Sequence, residues 1–244
     1  MSVIDKILKF KPSSEQFCTA VVVAAGNSQR MGRDKILMDL ADEPVIAHTL
    51  QSLQASEHID EIIVVTRFES IQAIADICNN YGITKASKIV LGGKCRAESA
   101  LLGVCEASEK ANLIAIHDGA RPFPSARMIE RVVNTAKENG AAAPAVSATD
   151  TVRIMNRKGT VVSTPDRDLV MLIQTPQVFN VELIKAALSK AVEKGTKITD
   201  DSSAVEAIGY KVTIVPGEED NIKLTTEKDV YLAEKIVSDR RNRK

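Results

Sequence analysis

The chain predicts an α/β domain built on a mainly parallel β-sheet flanked by helices. Short apolar runs alternate along it with stretches whose apolar residues recur at helical spacing, and the alternation is interrupted once, by a segment that reads as a hairpin. Its 244 residues carry no low-complexity linker, which suits one compact domain over 18–240 that includes the hairpin, preceded by an extension over 1–17.

Each element follows from its pattern. The run from Cys18 to Val23 reads as a buried strand, and Val45 to Leu53 as a helix. Glu61 to Thr66 is a second strand. Ile71, Ile74, Ala75 and Cys78 share one helical face, and Lys88 to Leu91 is a third strand. Ala97 to Ala107 reads as a helix and Leu113 to His117 as a fourth strand. Met128, Ile129, Val132, Val133 and Ala136 form the next helical stripe, followed by a small-residue strand from Ala141 to Val146. Strands alternating with helices imply right-handed crossovers, hence parallel neighbours.

Between Ala148 and Val162 the alternation stops. Short β-prone runs flank Asn156-Arg157-Lys158-Gly159, the signature of a hairpin. A hairpin with little core of its own needs a partner surface, so the segment at about 148–166 is expected to be an arm that crosses to a second subunit, the alternative being an edge hairpin folded on its own domain. Beyond it follow helices over 181–193 and 201–208, a strand from Lys211 to Val215, and a closing helix from Thr226 to about Val237.

Composition excludes several classes of function. Lys plus Arg and Asp plus Glu stand at 32 each, so no global field favours nucleic acid or an anionic membrane. Aromatic residues are 3% and Trp is absent, which removes the stacking surfaces that single-stranded nucleic acid requires. No apolar stretch approaches the roughly 20 residues that span a bilayer. The first residues, MSVIDKILKFK, are interrupted by charge and lack the apolar core of a secretory signal. The four cysteines, Cys18, Cys78, Cys95 and Cys105, form no CxxC pair and no secreted framework, which points to a reducing cytoplasm and away from zinc.

In open α/β sheets ligands bind beyond the carboxyl ends of the strands, so the loops there carry the chemistry. After the first strand, Ala24-Ala25-Gly26 leaves backbone amides unobstructed, and Arg30 and Lys35 add charge suited to phosphate oxygens. Neither GxGxxG nor GxxxxGK[ST] occurs there, which disfavours a dinucleotide fold and a P-loop. After the third strand, Gly92-Gly93-Lys94-Cys95-Arg96-Ala97-Glu98-Ser99 permits close approach to a flat base or ribose, with Arg96 or Ser99 as donors. After the fourth strand, Asp118 in His117-Asp118-Gly119-Ala120-Arg121-Pro122 is placed either to hold a hard cation or to cap a turn. His117, ending a buried strand, reads as structural. Downstream, Thr151, Arg167, Gln174 to Phe179, Thr199-Asp200 and Asp220 to Thr225 spread hydroxyls and cations over several loops, as a phosphorylated polyol requires.

In order, AAGxxxRMG with a following Lys, GGxxRxxS, HDxARP, TPQxF, TD and NIKxT resemble the 2-C-methyl-D-erythritol 4-phosphate cytidylyltransferases of the non-mevalonate isoprenoid pathway, over about Cys18 to Ile236. The resemblance implies a Rossmann-like nucleotidyltransferase fold with an inserted β-hairpin dimerisation arm, and transfer of CMP from CTP to methylerythritol phosphate with release of pyrophosphate. It implies Mg²⁺ or another divalent cation as cofactor, held by Asp118, and a cytoplasmic homodimer whose arm completes the neighbour's site. By motif, Ala24, Ala25, Gly26 and Ser28 would line the triphosphate, and Gly93, Ser99 and Gly119 would surround the cytidine. Arg30 and Lys35 would stabilise the transition state. Arg167 and Lys223 would position the acceptor phosphate, with Arg121, Thr151, Thr175, Thr199 and Asp220 around the same pocket. Ser28 stands where many members carry a second Gly, Gly119 where Ala is usual, and Lys94 where an acidic or small residue is common. The closest alternative is a ribitol or ribulose 5-phosphate cytidylyltransferase sharing the CTP loops. Another is a non-catalytic nucleotide-binding protein on the same fold.

Overall fold

A computed structural model describes residues 16–26 and 35–242. Most of the extension over 1–17, together with Ser28 and Arg30, lies outside the described residues.

The central strands are β1 (Cys18–Val23), β4 (Glu61–Thr66), β5 (Ala86–Leu91) and β6 (Leu113–Asp118). β1 pairs in parallel with β4 and β6, and β4 with β5. Beyond β6 the sheet continues through β7 (Ala141–Ser147), β10 (Met171–Ile173), β11 (Gln177–Asn180) and β12 (Thr213–Pro216). β11 lies antiparallel between β6 and β7, and β12 runs parallel to β7. β10 and β11 occupy the same side of β7, since Ala142 and Ala145 each pair with β12 on the other side. From Ile173 to Val178 the chain takes five steps while its partner takes three, Ala145 to Ala142, so Gln174-Thr175-Pro176 bulges from the line.

Side chains alternate across this sheet, as the pleat dictates. Cys18, Ala20 and Val22 face a core shared with α1 (Val45–Gln54), α2 (Ile71–Asn80) and α4 (Ala126–Asn139). Val21, Ile63, Val65, Ile114 and Ile116 face the opposite core, shared with α3 (Arg96–Cys105), α5 (Val181–Glu193) and α6 (Asp201–Ala207). The expected mainly parallel sheet with helices on both faces is therefore what the chain forms. α7 (Glu227–Asn242) closes a third, smaller core with Leu40, Phe123 and Leu224. Its helix runs past Val237 to Asn242, and β12 starts at Thr213 rather than Lys211.

Two features depart from the sequence expectation, and a third, the hairpin, meets it. β10 and β11 carry no strand signal in the sequence, because the motif Gln174 to Phe179 reads as a loop around Pro176. A small hairpin joins β2 (Asp39–Leu40) to β3 (Glu43–Pro44) through Ala41 and Asp42, both at positive φ, a conformation that Gly or Asn would signal and Ala does not. The predicted arm is a two-stranded ribbon, β8 (Ile154–Met155) and β9 (Val161–Ser163), whose turn is closed by Asn156 accepting from the amides of Lys158 and Thr160. Ile154, Met155, Val161 and Val162 on it are all exposed.

Candidate active site

The site is built where the parallel strands end level. Register aligns Val23 with Val65 and with Asp118, and Thr66 with Leu91. The three loops leaving this edge are each pinned through the backbone to the end of a neighbouring strand. Ala24 donates to the Val65 carbonyl at 2.7 Å, Gly92 to Thr66 at 2.8 Å, and Gly119 to Val23 at 3.0 Å. A Cβ on Gly92 would meet the Ala25 Cβ at 2.5 Å, so glycine is what lets the first and second loops touch. Ser99 is buried. Its Oγ accepts from the Gly93 amide at 3.1 Å and donates to the Cys95 carbonyl at 2.9 Å, which folds the second loop onto the start of α3.

Asp118, 8% exposed, is the hub. Lys223 Nζ lies 2.8 Å from its Oδ2, Arg121 Nε 3.6 Å from the same oxygen, and Arg96 Nη2 3.3 Å from Oδ1. Burial alone would raise its carboxyl, but the charges of Arg96, Lys223 and Arg121 more than offset this and hold it well below the usual carboxylate range. Arg96 reaches further: the same Nη2 is 2.7 Å from Oδ2 of Asp201, a fully buried carboxylate.

Behind Asp118 runs a neutral chain of hydrogen bonds. The Asp118 amide donates to Thr175 Oγ1 at 3.1 Å, Thr175 Oγ1 lies 3.0 Å from His117 Nδ1, and His117 Nε2 lies 3.0 Å from the Arg121 carbonyl. Since a carbonyl can only accept, Nε2 carries the proton and Nδ1 accepts from the threonine hydroxyl. Burial lowers the His117 pKa to about 4, so this ring is neutral and structural, as expected. Arg121 is anchored from the other side by Nη1 donating to the Asn221 carbonyl at 2.7 Å. Asn221 in turn donates to the Thr175 carbonyl at 2.9 Å, so the fourth-strand loop, the β10–β11 bulge and the NIKLT segment form one unit.

Beside Asp118 opens a cavity of about 450 Å³, with Arg96, Arg121, Thr175, Gln177, Thr199 and Lys223 among its lining residues. Asp200 caps α6 with a reciprocal capping box to Ser203 and accepts from Gln177 Nε2 at 2.8 Å, which fixes the Thr199 side of the wall. Three cations, hydroxyls and amides around a compact cavity are suited to a small phosphorylated, hydroxylated ligand.

The model of the 2-C-methyl-D-erythritol 4-phosphate cytidylyltransferases matches residues 18–239. The chain belongs to that family. It is 38% identical over 221 residues to the 2-C-methyl-D-erythritol 4-phosphate cytidylyltransferase of Clostridium botulinum strain Langeland, covering 90% of this chain and 96% of that protein. The protein of the same name from Halalkalibacterium halodurans is 37% identical over 92% of this chain and 99% of its own length. Among solved structures, the 4-diphosphocytidyl-2C-methyl-D-erythritol synthase of Anaerococcus prevotii superposes with a TM-score of 0.82 at 34% identity, covering 91% of this chain and 96% of that one. The cytidylyltransferase of Thermus thermophilus gives 0.74 at 28%, with 89% and 98% covered.

Within this cytidylyltransferase framework the residues singled out from sequence divide into three groups. Ala24, Ala25, Gly26, Gly93 and Gly119 stand on the three strand-end loops, Ser99 lies at the start of α3 beneath the second, and Asp118, Arg121, Thr175, Thr199 and Lys223 line the cavity. Lys35 is half-buried and precedes Ile36, whose carbonyl accepts from Ile46 at 2.9 Å. Ile46 itself packs against the third loop, where a Cβ on Gly119 would meet its Cδ1 at 3.1 Å. Thr151 and Arg167 are exposed on and after the arm and do not line this cavity, nor does Asp220, whose carboxylate is 4.0 Å from Arg240. Arg96 was recognised from sequence only as a possible donor, and Asp201 and Asn221 not as site residues. Arg96 had a signal, its place in GGxxRxxS at a helix start, whereas nothing local distinguishes the buried Asp201 from its neighbour Asp200.

Proposed function

We propose that the chain transfers the cytidylyl group of CTP to the phosphate of 2-C-methyl-D-erythritol 4-phosphate. An acceptor phosphate oxygen attacks the α-phosphorus in line, a new P–O bond forms, the bond to the β-phosphate oxygen breaks, and pyrophosphate leaves. The observation that carries this reading is the convergence of Lys223, Arg121 and Arg96 on Asp118, between the three strand-end loops and the cavity, in a chain of this family.

The chemistry suits fixed charge rather than a protein nucleophile. Two anionic phosphates must approach, and positioning with preorganised cations lowers that barrier. The acceptor phosphate is ionised near neutral pH and needs no base. None of the three histidines lines the cavity. Ala24 to Gly26, Gly93, Ser99 and Gly119 hold the nucleotide, Arg30 and Lys35 act on the charge that builds at the α-phosphate, and Lys223 with Arg121, Thr175 and Thr199 orients the acceptor.

Among the described residues no cluster of three or more metal-ligating side chains occurs, so an all-protein metal cage does not fit. A site in which one carboxylate joins substrate phosphates does fit, as is usual for Mg²⁺, and Asp118, which lines the cavity, would be that carboxylate. When bound there, the cation neutralises phosphate charge.

The chain acts as a homodimer through the arm, in the cytoplasm. Supporting this are the exposed Ile154, Met155, Val161, Val162 and Leu169, an apolar surface on a ribbon with almost no core beneath it, and four cysteines all free. In the dimer, Thr151 and Arg167 reach the neighbour's cavity, and Asp220 borders it. No helix among the described residues is long and apolar enough to cross a membrane.

The test is pyrophosphate release from CTP and Mg²⁺ with methylerythritol phosphate or ribitol 5-phosphate supplied separately. Turnover with methylerythritol phosphate is expected. Turnover with ribitol 5-phosphate alone would reassign the acceptor, and turnover with neither would leave a nucleotide-binding protein.

A further inference from the structure

Asp201 sits at the first position of α6, fully buried, and among the described residues its ionic partner is Arg96 at 2.7 Å. Burial pushes its carboxyl up, and so do Asp118 and Asp200, so the position is unfavourable for a charge without the guanidinium beside it. A buried ion pair is weak evidence of stability for its own sake, because an apolar pair of the same size would serve. What this pair does is geometric. Arg96 leaves the start of α3, on the nucleotide side of the sheet edge, and crosses to the wall formed by α6. It bridges Asp201 and Asp118 with one nitrogen, Nη2. Its other terminal nitrogen, Nη1, is buried and has no hydrogen-bond partner among the described residues. Arg96 lines the same cavity as Thr175, Thr199 and Lys223. A fixed, planar guanidinium at such a wall, with donors beyond the one that meets the two carboxylates, is suited to phosphate recognition.

We propose that Arg96, whose side chain lines the cavity, is a substrate-binding residue that donates to the acceptor phosphate, and that the buried Asp201 is the positioning residue that holds its guanidinium at the cavity wall. This rests on the acceptor reading given above. Without Asp201, the Arg96 side chain keeps only Asp118 as ionic partner and swings toward the nucleotide side, away from the acceptor. The pair thus joins the helix that follows the base-binding loop to the helix that carries the TD motif.

The experiment measures steady-state KM for CTP and for methylerythritol phosphate in wild type, Asp201→Asn, Arg96→Ala and the double variant. Calorimetric titration of methylerythritol phosphate into protein free of nucleotide and metal accompanies it. Loss of one charge-assisted hydrogen bond corresponds to about a tenfold or greater rise in acceptor KM and Kd. Asp201→Asn is expected to show that rise with CTP KM within about twofold of wild type, and to add nothing further in the Arg96→Ala background, the signature of a residue acting through another. An unchanged acceptor KM in a folded Asp201→Asn protein of lowered melting temperature would make the pair structural and overturn the proposal. Equal effects of Asp201→Asn in both backgrounds would overturn it too. Should the Asn variant not fold, Arg96→Lys decides, since a point charge satisfies Asp201 without the second donor: a raised acceptor KM supports the role and an unchanged one refutes it. If wild type turns over ribitol 5-phosphate instead, the acceptor assignment falls, and the same cycle run with ribitol 5-phosphate still tests Arg96.

Discussion

Gly92→Ala probes how closely the nucleotide loops are packed. The added Cβ would fall 2.5 Å from the Ala25 Cβ and 3.1 Å from Ser99 Oγ. Carbon atoms in contact sit at roughly 3.5 to 4 Å, so relief demands a displacement on the order of 1 Å. Rotamer changes cannot provide it, because Ala25 has no rotamer and both backbones are pinned, Ala24 to Val65 at 2.7 Å and Gly92 to Thr66 at 2.8 Å. Overpacking of this kind costs about 1 to 3 kcal/mol. A misplacement of about 1 Å in a positioning loop lowers rates by up to about 100-fold. In initial-rate assays with CTP varied, kcat/KM for CTP is expected to fall about 10- to 100-fold, with acceptor KM within about twofold of wild type. A variant with near-normal kcat/KM for CTP would refute the claim that contact between these loops sets the triphosphate cradle.

Lys35→Ala should lose about 2 to 4 kcal/mol of transition-state stabilisation, the range for one preorganised donor, read as a fall in kcat at saturating substrates. Glu61 accepts from Thr19 Oγ1 at 2.7 Å, Ser87 Oγ at 2.6 Å and the Ser108 amide at 2.9 Å. Burial would raise its pKa, but these hydrogen bonds, from Ser87 first, lower it below the usual carboxylate value. A carboxyl depressed in the folded state contributes stability that is present above its unfolded pKa of about 4.3 and lost as pH falls through the folded value. Glu61→Gln should therefore lose roughly 1 to 3 kcal/mol in urea melts at pH 7, with the gap to wild type closing below about pH 4. A gap constant with pH would show that the carboxylate charge is irrelevant. Val162→Asp, on an arm residue that is 65% exposed, should shift the protein toward monomer in sedimentation equilibrium while leaving its melting transition cooperative. An unchanged dimer would move the interface elsewhere.

What the sequence disclosed follows the strength of each local signal. Strands β1, β4 and β6, buried on both faces, appear as unbroken apolar runs, and Asp118 is conspicuous because a carboxylate ends one of them. The arm was readable from its turn residues. β10 and β11 were not, because a three-residue strand, a bulge and Pro176 leave no period to detect. Ala41 and Asp42 at positive φ contradict local propensity and are held by tertiary contacts, including Arg241 donating to the Ala41 carbonyl at 2.9 Å. The Asp201–Arg96 pair spans two helices distant in sequence, so only folding reveals that, of two adjacent carboxylates, Asp200 caps α6 and lines the cavity while Asp201 is buried behind it against Arg96.

The antiparallel line of β10 and β11 has a consequence of its own. It is inserted beside β6 as the boundary between two halves with separate construction. On one side, parallel register and amides bonded to neighbouring strand ends shape the three strand-end loops proposed to hold the nucleotide. On the other, the bulge at Thr175, the cap of α6 and the NIKLT segment form a wall joined to β6 through Thr175 and to α3 through the Asp201–Arg96 pair. That division lets the wall change its chemistry while the cradle stays fixed, so one nucleotide donor can be paired with different phosphorylated acceptors by rebuilding a few segments along a single seam.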